Sequence, residues 1–358
     1  MNKPATVINT TLAEVDALPI NRPKVKVELQ YGSAGYDKEQ SFVIKGLLPE
    51  RSLASIYGPS GSYKSFLALD WACHIASGMD WDGHKVNQGS VLYVAAEGGY
   101  GVTQRVRAWE LHHQINAIEG LARLSVPVFP ADSNHVDAVL DYCHEIESKT
   151  GHGVKLIILD TLARCYGGND ENSSKDMGGF IVGCDTIKQL TGATVLVIHH
   201  SGKNADNGGR GSSAWPASLD AEFRVKRDSE DKQAIVLSCS KMKDSDQPET
   251  RAYDLTNVHI RIDSDGDDVN SLCVIPVGRQ PCDDDETLPK ASRMSSNHEA
   301  LWQAVRSRTQ AGDSTARAII IDDLKAQGLV VKHFSLWLAK LVDGGQLREE
   351  SGMIVMNK

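Results

Sequence analysis

The stretch Gly58-Pro59-Ser60-Gly61-Ser62-Tyr63-Lys64-Ser65 follows a short apolar run and precedes a helical pattern. It matches the phosphate-loop pattern G-x-x-x-x-G-K-[ST] except that Tyr63 replaces the second glycine. In such a loop the backbone N–H groups point at phosphates, and the following helix adds its positive N-terminal end. Lys64 is therefore predicted to reach the β- and γ-phosphates of ATP, and Ser65 to ligate Mg²⁺.

The predicted nucleotide contacts are Gly58, Pro59, Ser60, Gly61, Ser62, Tyr63, Lys64, Ser65 and Phe66. Tyr63 is expected to slow or weaken binding, although Gly61 keeps the turn flexible. A Gly/Ser-rich loop can also arise by chance, but here a strand precedes it and a helix follows it. No G-x-G-x-x-G opens a helix at this point, which disfavours a dinucleotide site of the Rossmann type.

Short apolar runs alternate with longer mixed segments from Phe42 onward, which predicts βαβ units and a mostly parallel central sheet, an α/β fold. Four runs read as strands buried on both faces: Leu53–Tyr57, Val91–Ala95, Lys155–Leu159 and Thr194–Ile198. Helices are predicted between them at Lys64–Ser77, His135–Ser148 and Ser173–Leu190. Alternating strands follow at Ala234–Ser238 and Val258–Ile262.

Composition divides the chain into four predicted segments. Residues 1–40 have weak periodicity and are expected to form a loosely ordered arm, and residues 41–280 form the α/β domain. Residues 281–297 contain proline, serine and the acidic run Asp283–Glu286, as linkers do. Residues 298–358 are predicted to form helices at Glu299–Arg306, Ala316–Ala326 and Lys332–Val342, followed by a short strand, Ile354–Met356.

The overall composition excludes several classes of protein. The 358 residues include 41% hydrophobic and 24% charged residues, with a mean hydropathy of −0.29 and no apolar run long enough to span a bilayer. Seven scattered cysteines without a Cys-x-x-Cys pair exclude a disulfide scaffold and a thiolate zinc site. Because the N-terminus lacks a basic start followed by an apolar core, no secretory signal is predicted, and a cytoplasmic location is expected.

The net charge of −9 shows that any contact with nucleic acid must be local. From Arg293 onward the chain has nine Lys and Arg against seven Asp and Glu, so the C-terminal segment is mildly basic. Contacts with DNA are therefore expected in this segment, in a loop or in a channel.

Two carboxylates follow predicted strands. Asp160 closes the Lys155–Leu159 run, where an acidic residue can hold Mg²⁺; the alternative is that it caps the next helix. Glu97 follows Val91–Ala96, where a carboxylate faces the ligand crevice and can polarise water; the alternative is an exposed loop residue.

His199 and His200 end the next strand, and a glycine-rich loop follows them. A polar residue at this point can bond the γ-phosphate and transmit its loss to the loop, whereas a structural role for both histidines is equally consistent with the sequence. Lys203 and Arg210 in the loop suit phosphate contacts, although loops of this kind are usually only solvated.

Taken together, these elements resemble the RecA-like phosphate-loop NTPases with an AAA-type ATPase domain, and more narrowly the hexameric replicative helicases of the plasmid RepA type. The resemblance covers about residues 40–280. The resemblance rests on the phosphate loop, Tyr93-Val94-Ala95-Ala96-Glu97-Gly98, Leu159-Asp160-Thr161, Gly168-Asn169-Asp170-Glu171-Asn172, His199-His200 and Arg210-Gly211-Ser212-Ser213.

The resemblance implies that Glu97 is the catalytic base, that Asp160 is the Walker B residue and that His200 is the γ-phosphate sensor. It also implies that the Gly202–Ser213 loop binds single-stranded DNA in a central channel, through Lys203, Arg210, Ser212 and Ser213. A homo-hexamer is expected, with a replication initiator or a primase as a further partner. In such rings a neighbouring subunit supplies a cation to the active site, and the candidates are Lys241 with Lys243, or Arg224.

The C-terminal segment resembles a winged helix, a fold that often docks a helix in the DNA major groove. Its third helix is only modestly basic, so docking of a protein remains an alternative to binding of DNA. For the whole chain, the sequence favours an ATP-driven helicase that acts during replication of a plasmid, phage or other mobile element. The alternatives are a nucleotide-switched loader or recombination accessory, and a non-catalytic DNA-binding regulator.

Overall fold

The phosphate-loop strand lies inside a nine-stranded sheet. The computed structural model describes residues 31–97, 99–201, 212–228, 233–282, 296–329, 331–343, 345–350 and 352–357. After a small hairpin of β1 (Phe42–Ile44) and β2 (Leu48–Pro49), the sheet strands are β3 (Leu53–Gly58), β4 (Ser90–Ala95), β5 (Leu121–Leu124), β6 (Val154–Asp160), β7 (Thr194–His200), β8 (Ala221–Arg227), β9 (Ala234–Met242), β10 (Arg251–Ile262) and β11 (Asp268–Val274).

The order of the strands is β11-β10-β9-β8-β3-β7-β6-β4-β5. Every pairing from β8 to β5 is parallel, whereas β8, β9, β10 and β11 pair antiparallel. The predicted mostly parallel α/β sheet is thus confirmed. The carboxyl ends of β3, β4, β6 and β7 meet at one edge, which is where open α/β sheets bind ligands.

Helices cover both faces of this sheet, so the parallel strands are buried on both sides. The described part of the first unit contains the helices α1 (Lys64–Ser77), α2 (Gly99–His112), α3 (Ser133–Thr150), α4 (Leu162–Cys165), α5 (Ser174–Thr191) and α6 (Ala214–Ser218). Alternate residues of each strand enter two separate cores: Tyr93 and Ile158 face α1 and α2, whereas Val94 and Leu159 face α3 and α5.

Local capping sets the ends of the two long helices on the second face. Asp132 accepts the N–H of Asn134 before α3, and Ser173 accepts the N–H of Asp176 before α5. Both helices end at a left-handed glycine, Gly151 or Gly192. Helix α1 spans the predicted Lys64–Ser77, whereas α2 and β5 were not predicted from the pattern, because few of their residues are buried.

The chain divides into two units, residues 1–282 and 283–358. The described part of the second unit contains α7 (Ser296–Ala311), α8 (Arg317–Ala326), a 3-10 turn (Val331–His333), α9 (Phe334–Asp343), and an antiparallel hairpin of β12 (Leu347–Glu350) and β13 (Met353–Met356). Its core includes Leu301, Ile320, Leu338 and Ile354. Helix α7 begins at Ser296, three residues before the predicted start at Glu299.

None of the helices in the described ranges combines the length with the apolar character needed to cross a membrane.

Candidate nucleotide-binding site

The phosphate loop connects β3 to α1 and has a conformation that its sequence does not favour at one position. Tyr63 occupies the left-handed region, with φ 64° and ψ 21°, where the full pattern has glycine. This conformation costs a non-glycine residue about 1–2 kcal/mol. At the other end of the loop, Gly58 cannot be replaced, because a Cβ there would lie 2.0 Å from the carbonyl oxygen of Val225.

Lys64 is buried inside the loop. Its Nζ donates to the carbonyl oxygens of Gly58 at 3.0 Å and Pro59 at 2.7 Å. Burial lowers the pKa of Lys64 to about 8, and the nearby carboxylates of Asp160 and Glu97 oppose that shift. The ammonium group therefore lies where the loop would enclose a phosphate. The other predicted contacts divide into exposed residues (Pro59, Ser60, Gly61), buried Ser62, and half-buried Tyr63, Ser65 and Phe66.

Asp160 ends β6 and is almost completely buried. The hydroxyl of Tyr93, on the neighbouring strand β4, donates to its Oδ2 at 2.6 Å. Its Oδ1 is buried and has no hydrogen-bond partner within the described ranges. Burial raises the pKa of Asp160 above its ordinary value, and the hydroxyls of Tyr93 and Ser65 act against this rise.

Glu97 lies just beyond β4 and is held in place by two neighbours. The hydroxyl of Thr161 donates to its Oε1 at 3.0 Å, and Nε2 of His200 lies 3.7 Å from the same oxygen. The side chain of Glu97 stays 47% exposed, so water can reach it. The strand ends of β4, β6 and β7 thus bring Glu97, Asp160 and His200 together beside Lys64.

The two histidines point to opposite sides of β7, because successive residues of a strand alternate. His199 is buried and pairs in register with Tyr57, whereas His200 faces Glu97. The next residue, Ser201, donates its N–H to the carbonyl oxygen of Gly58 at 3.0 Å. The end of β7 is therefore attached directly to the phosphate loop.

Most of the predicted DNA-binding loop, including Lys203 and Arg210, lies outside the described residues. Where the chain is described again, Ser212 is buried, its N–H donates to the carbonyl oxygen of Glu171 at 2.9 Å, and its hydroxyl lies 3.1 Å from that of Ser174. Ser213 is exposed. Ser212 therefore anchors the end of the loop to the Glu171 segment.

The candidate trans-acting cations lie at two opposite edges of the sheet, Lys241 and Lys243 at one and Arg224 near the other. Lys241 donates to the carbonyl oxygens of Pro216 at 2.8 Å and Ala217 at 3.0 Å, and Lys243 forms an ion pair with Asp220 at 2.9 Å. Because β9 is antiparallel to β8, these lysines lie at the edge opposite the phosphate loop. Arg224 instead pairs in register with Tyr57, one residue before the loop.

Two arginines beside the loop were not predicted from the sequence. Arg227, at the end of β8, donates from Nε to the carbonyl oxygen of Gly61 at 2.8 Å, and its guanidinium lies 4.5 Å from the centre of the Tyr63 ring. Arg105, on α2, lies 4.2 Å from the centre of the Phe66 ring. No local motif marks either residue, because both contacts depend on the packing of distant elements.

The residues at this edge fit a bound Mg²⁺ ion. Oδ1 of Asp160, which has no partner among the residues that the structure describes, and the hydroxyl of Ser65 are hard oxygen donors of the kind that Mg²⁺ prefers. Mg²⁺ held there would neutralise charge on the phosphates. Lys64 and the N-terminal end of α1 would bind the same charge.

The loop, the acidic strand end and the glutamate define the class of phosphate-loop ATPases. The chain belongs to the AAA domain family, whose model matches residues 21–206. That range contains Lys64, Glu97, Asp160 and His200. The family-level prediction is thus confirmed, and the narrower likeness to plasmid replicative helicases stays a prediction.

Two solved structures are similar to parts of this chain. The RadB recombinase is 15% identical with a TM-score of 0.44, covering 58% of this chain and 88% of its own. A KaiC-like protein from the hyperthermophilic archaeon Pyrococcus horikoshii OT3 is 13% identical with a TM-score of 0.43, covering 66% of this chain and 99% of its own. Neither likeness is close enough to support a conclusion about function.

Proposed function

We propose that this chain is an ATP-hydrolysing, ring-forming translocase that moves on single-stranded DNA and unwinds duplex DNA during replication of a mobile element. The observation that carries the proposal is the convergence of Lys64, Asp160, Glu97 and His200 at one sheet edge, immediately before the loop that contains Lys203 and Arg210. In this mechanism Glu97 takes the proton of the attacking water, while Lys64 stabilises the charge on the phosphates.

The coupling of hydrolysis to DNA movement follows from how the loop is attached. His200 lies 3.7 Å from Glu97, and Ser201 is bonded to Gly58 of the phosphate loop. A change at the γ-phosphate would therefore reach both the start of the Gly202–Ser213 loop and the catalytic base. Basic residues in this loop would hold the DNA backbone despite the acidic charge of the whole chain.

A ring is proposed because Lys241 and Lys243 lie at the sheet edge opposite their own phosphate loop. From that edge they are suited to meet the active site of a neighbouring subunit. Arg224, which is adjacent to Tyr57, is suited to act within its own subunit. We propose a homo-hexamer in which Lys241 or Lys243 completes each site in trans.

Mixing of inactive variants distinguishes the candidate cations. The Lys64→Ala subunit cannot turn over ATP at its own phosphate loop but still has Lys241. The Lys241→Ala subunit lacks that lysine but still has Lys64 in its phosphate loop. If Lys241 acts in trans, mixed rings of the two variants regain ATP hydrolysis, because some sites then have both groups. Mixing Lys64→Ala with Arg224→Ala restores nothing if Arg224 acts in its own subunit. Failure of the first mixture to recover activity removes Lys241 from the trans role.

Strand displacement tests the motor activity itself. With ATP and Mg²⁺, the purified chain is expected to release a labelled strand from a forked duplex, and Glu97→Gln is expected to bind the fork without releasing it. If the chain hydrolyses ATP but displaces no strand from forks of either polarity, it is a nucleotide-switched loader or a recombination accessory instead. Binding of DNA without any hydrolysis would identify a regulator.

We further propose that the second unit is a small winged-helix domain that docks duplex DNA or a replication protein. Three helices and an antiparallel hairpin around one core support this proposal. Reversing the charge of Lys332, in the 3-10 turn, and of Lys340, on α9, tests which partner is bound. Loss of duplex affinity with unchanged ATP hydrolysis indicates DNA, and unchanged duplex affinity indicates a protein partner.

A further inference from the structure

Tyr63 is the residue that departs from the phosphate-loop pattern, and Arg227 is its partner. The guanidinium of Arg227 lies 4.5 Å from the centre of the Tyr63 ring, and the ring of Phe66 packs edge-on against Tyr63 with 5.7 Å between ring centres. The ring therefore has a cation and an aromatic edge as neighbours, both of which are favourable contacts. These contacts stabilise a residue whose backbone is in the left-handed region.

The same arginine also fixes the orientation of a peptide in the loop. Its Nε donates to the carbonyl oxygen of Gly61 at 2.8 Å. Because a trans peptide directs its C=O and N–H in opposite directions, the N–H of Ser62 is turned to the other side, into the loop. There it donates to the carbonyl oxygen of Pro59 at 3.3 Å, the oxygen that also accepts Nζ of Lys64.

We propose that Tyr63 and Arg227 form a clamp on the outer side of the phosphate loop, which holds the Pro59–Ser62 turn and the start of α1 in the arrangement that binds a triphosphate. Arg227 is thus a positioning residue, and Tyr63 takes the place of the usual glycine because the clamp supports it. This inference rests on the proposed binding of ATP. It also predicts that Tyr63 does not weaken binding while Arg227 is present.

The test is the affinity for a non-hydrolysable ATP analogue with Mg²⁺, measured in a double-mutant cycle. Arg227→Ala is expected to raise Kd about tenfold, because only part of the stabilisation from the cation–π contact and the hydrogen bond to Gly61 acts on nucleotide binding. In the Tyr63→Gly chain, the ring and the strain are both absent, so Arg227→Ala should raise Kd only about threefold.

A matched control is Arg261→Ala, which removes another exposed arginine, on β10, and should change nothing. In steady-state kinetics, Arg227→Ala should raise KM and leave kcat unchanged, because Glu97 is untouched. An unchanged Kd in Arg227→Ala, or an equal effect in the Tyr63→Gly background, overturns the clamp. If the parent chain itself fails to bind the analogue, the proposed function fails instead.

Discussion

Replacing Tyr93 by Phe deletes one hydroxyl, which donates to Oδ2 of Asp160 at 2.6 Å between two buried side chains. A hydrogen bond to a charged group contributes about 1.5–3 kcal/mol to stability. Because Oδ1 lacks a partner in the described part of the chain, the variant leaves the Ser65 hydroxyl as the remaining hydroxyl that favours the charged form of this buried carboxylate. We expect the free energy of unfolding to fall by about 2 kcal/mol at pH 8.

The same change should weaken the cation site. Loss of an outer partner of a metal ligand typically costs about 10–100-fold in metal affinity or activity. The Mg²⁺ concentration for half-maximal ATP hydrolysis is therefore expected to rise at least tenfold in Tyr93→Phe. Urea unfolding at pH 8 measures the change in stability, and a Mg²⁺ titration of the hydrolysis rate at saturating ATP measures the second effect.

Tyr253→Phe is the matched control, because it deletes another buried tyrosine hydroxyl that donates to a carboxylate. Tyr253 bonds Oδ2 of Asp82 at 2.9 Å, away from the phosphate loop. It should lose stability to a similar degree and keep the parent Mg²⁺ dependence. If both variants shift the Mg²⁺ requirement equally, or neither does, Tyr93 does not orient a metal ligand and the reasoning fails.

Three further changes test other parts of the account. Glu97→Gln should bind the ATP analogue with parent affinity but hydrolyse ATP at least about 100-fold more slowly, as loss of a general base predicts; hydrolysis at the parent rate would exclude Glu97 as the base. Gly58→Ala should abolish analogue binding, because its Cβ would lie 2.0 Å from the carbonyl oxygen of Val225; tight binding would show that the loop can shift freely. Burial raises the pKa of Asp70 to about 7 and lowers that of His74 to about 4. In the parent the opposite pKa shifts of Asp70 and His74 largely cancel between these pH values. In Asp70→Asn only the His74 shift contributes, so the unfolded chain binds one more proton than the folded chain in this range. The variant's free energy of unfolding should therefore rise with pH between about 4 and 6.5 by about 1.4 kcal/mol per unit more than the parent's. Parallel urea-melt profiles of the two chains would contradict this assignment.

The sequence predicted the elements whose signals are local. Helix α1 has the predicted bounds because the phosphate loop marks its start and a left-handed glycine, Gly78, ends it. Asp160, Glu97 and His200 were predicted as site residues because each follows an apolar run, and parallel strands bring such ends to one edge. Helix α2 was not predicted, because only Val102, Ala108 and Trp109 are buried in it.

The contacts that the sequence did not predict depend on strand register and on long-range packing. Tyr93 reaches Asp160 because β4 and β6 are neighbours in the sheet, although the two residues are 67 positions apart. Arg227 reaches Gly61 across 166 positions, because β8 pairs with β3. Neither pairing leaves a local pattern, so a motif search finds the loop but misses the residues that support it.

Steady-state hydrolysis of ATP by the purified chain in Mg²⁺, with and without single-stranded DNA, is the most direct test of the central claim. The account predicts hydrolysis that DNA stimulates strongly and that Lys64→Ala abolishes. Hydrolysis unaffected by DNA would separate the nucleotide site from the proposed DNA loop. No hydrolysis under either condition would contradict the claim that this edge of the sheet is an ATPase site.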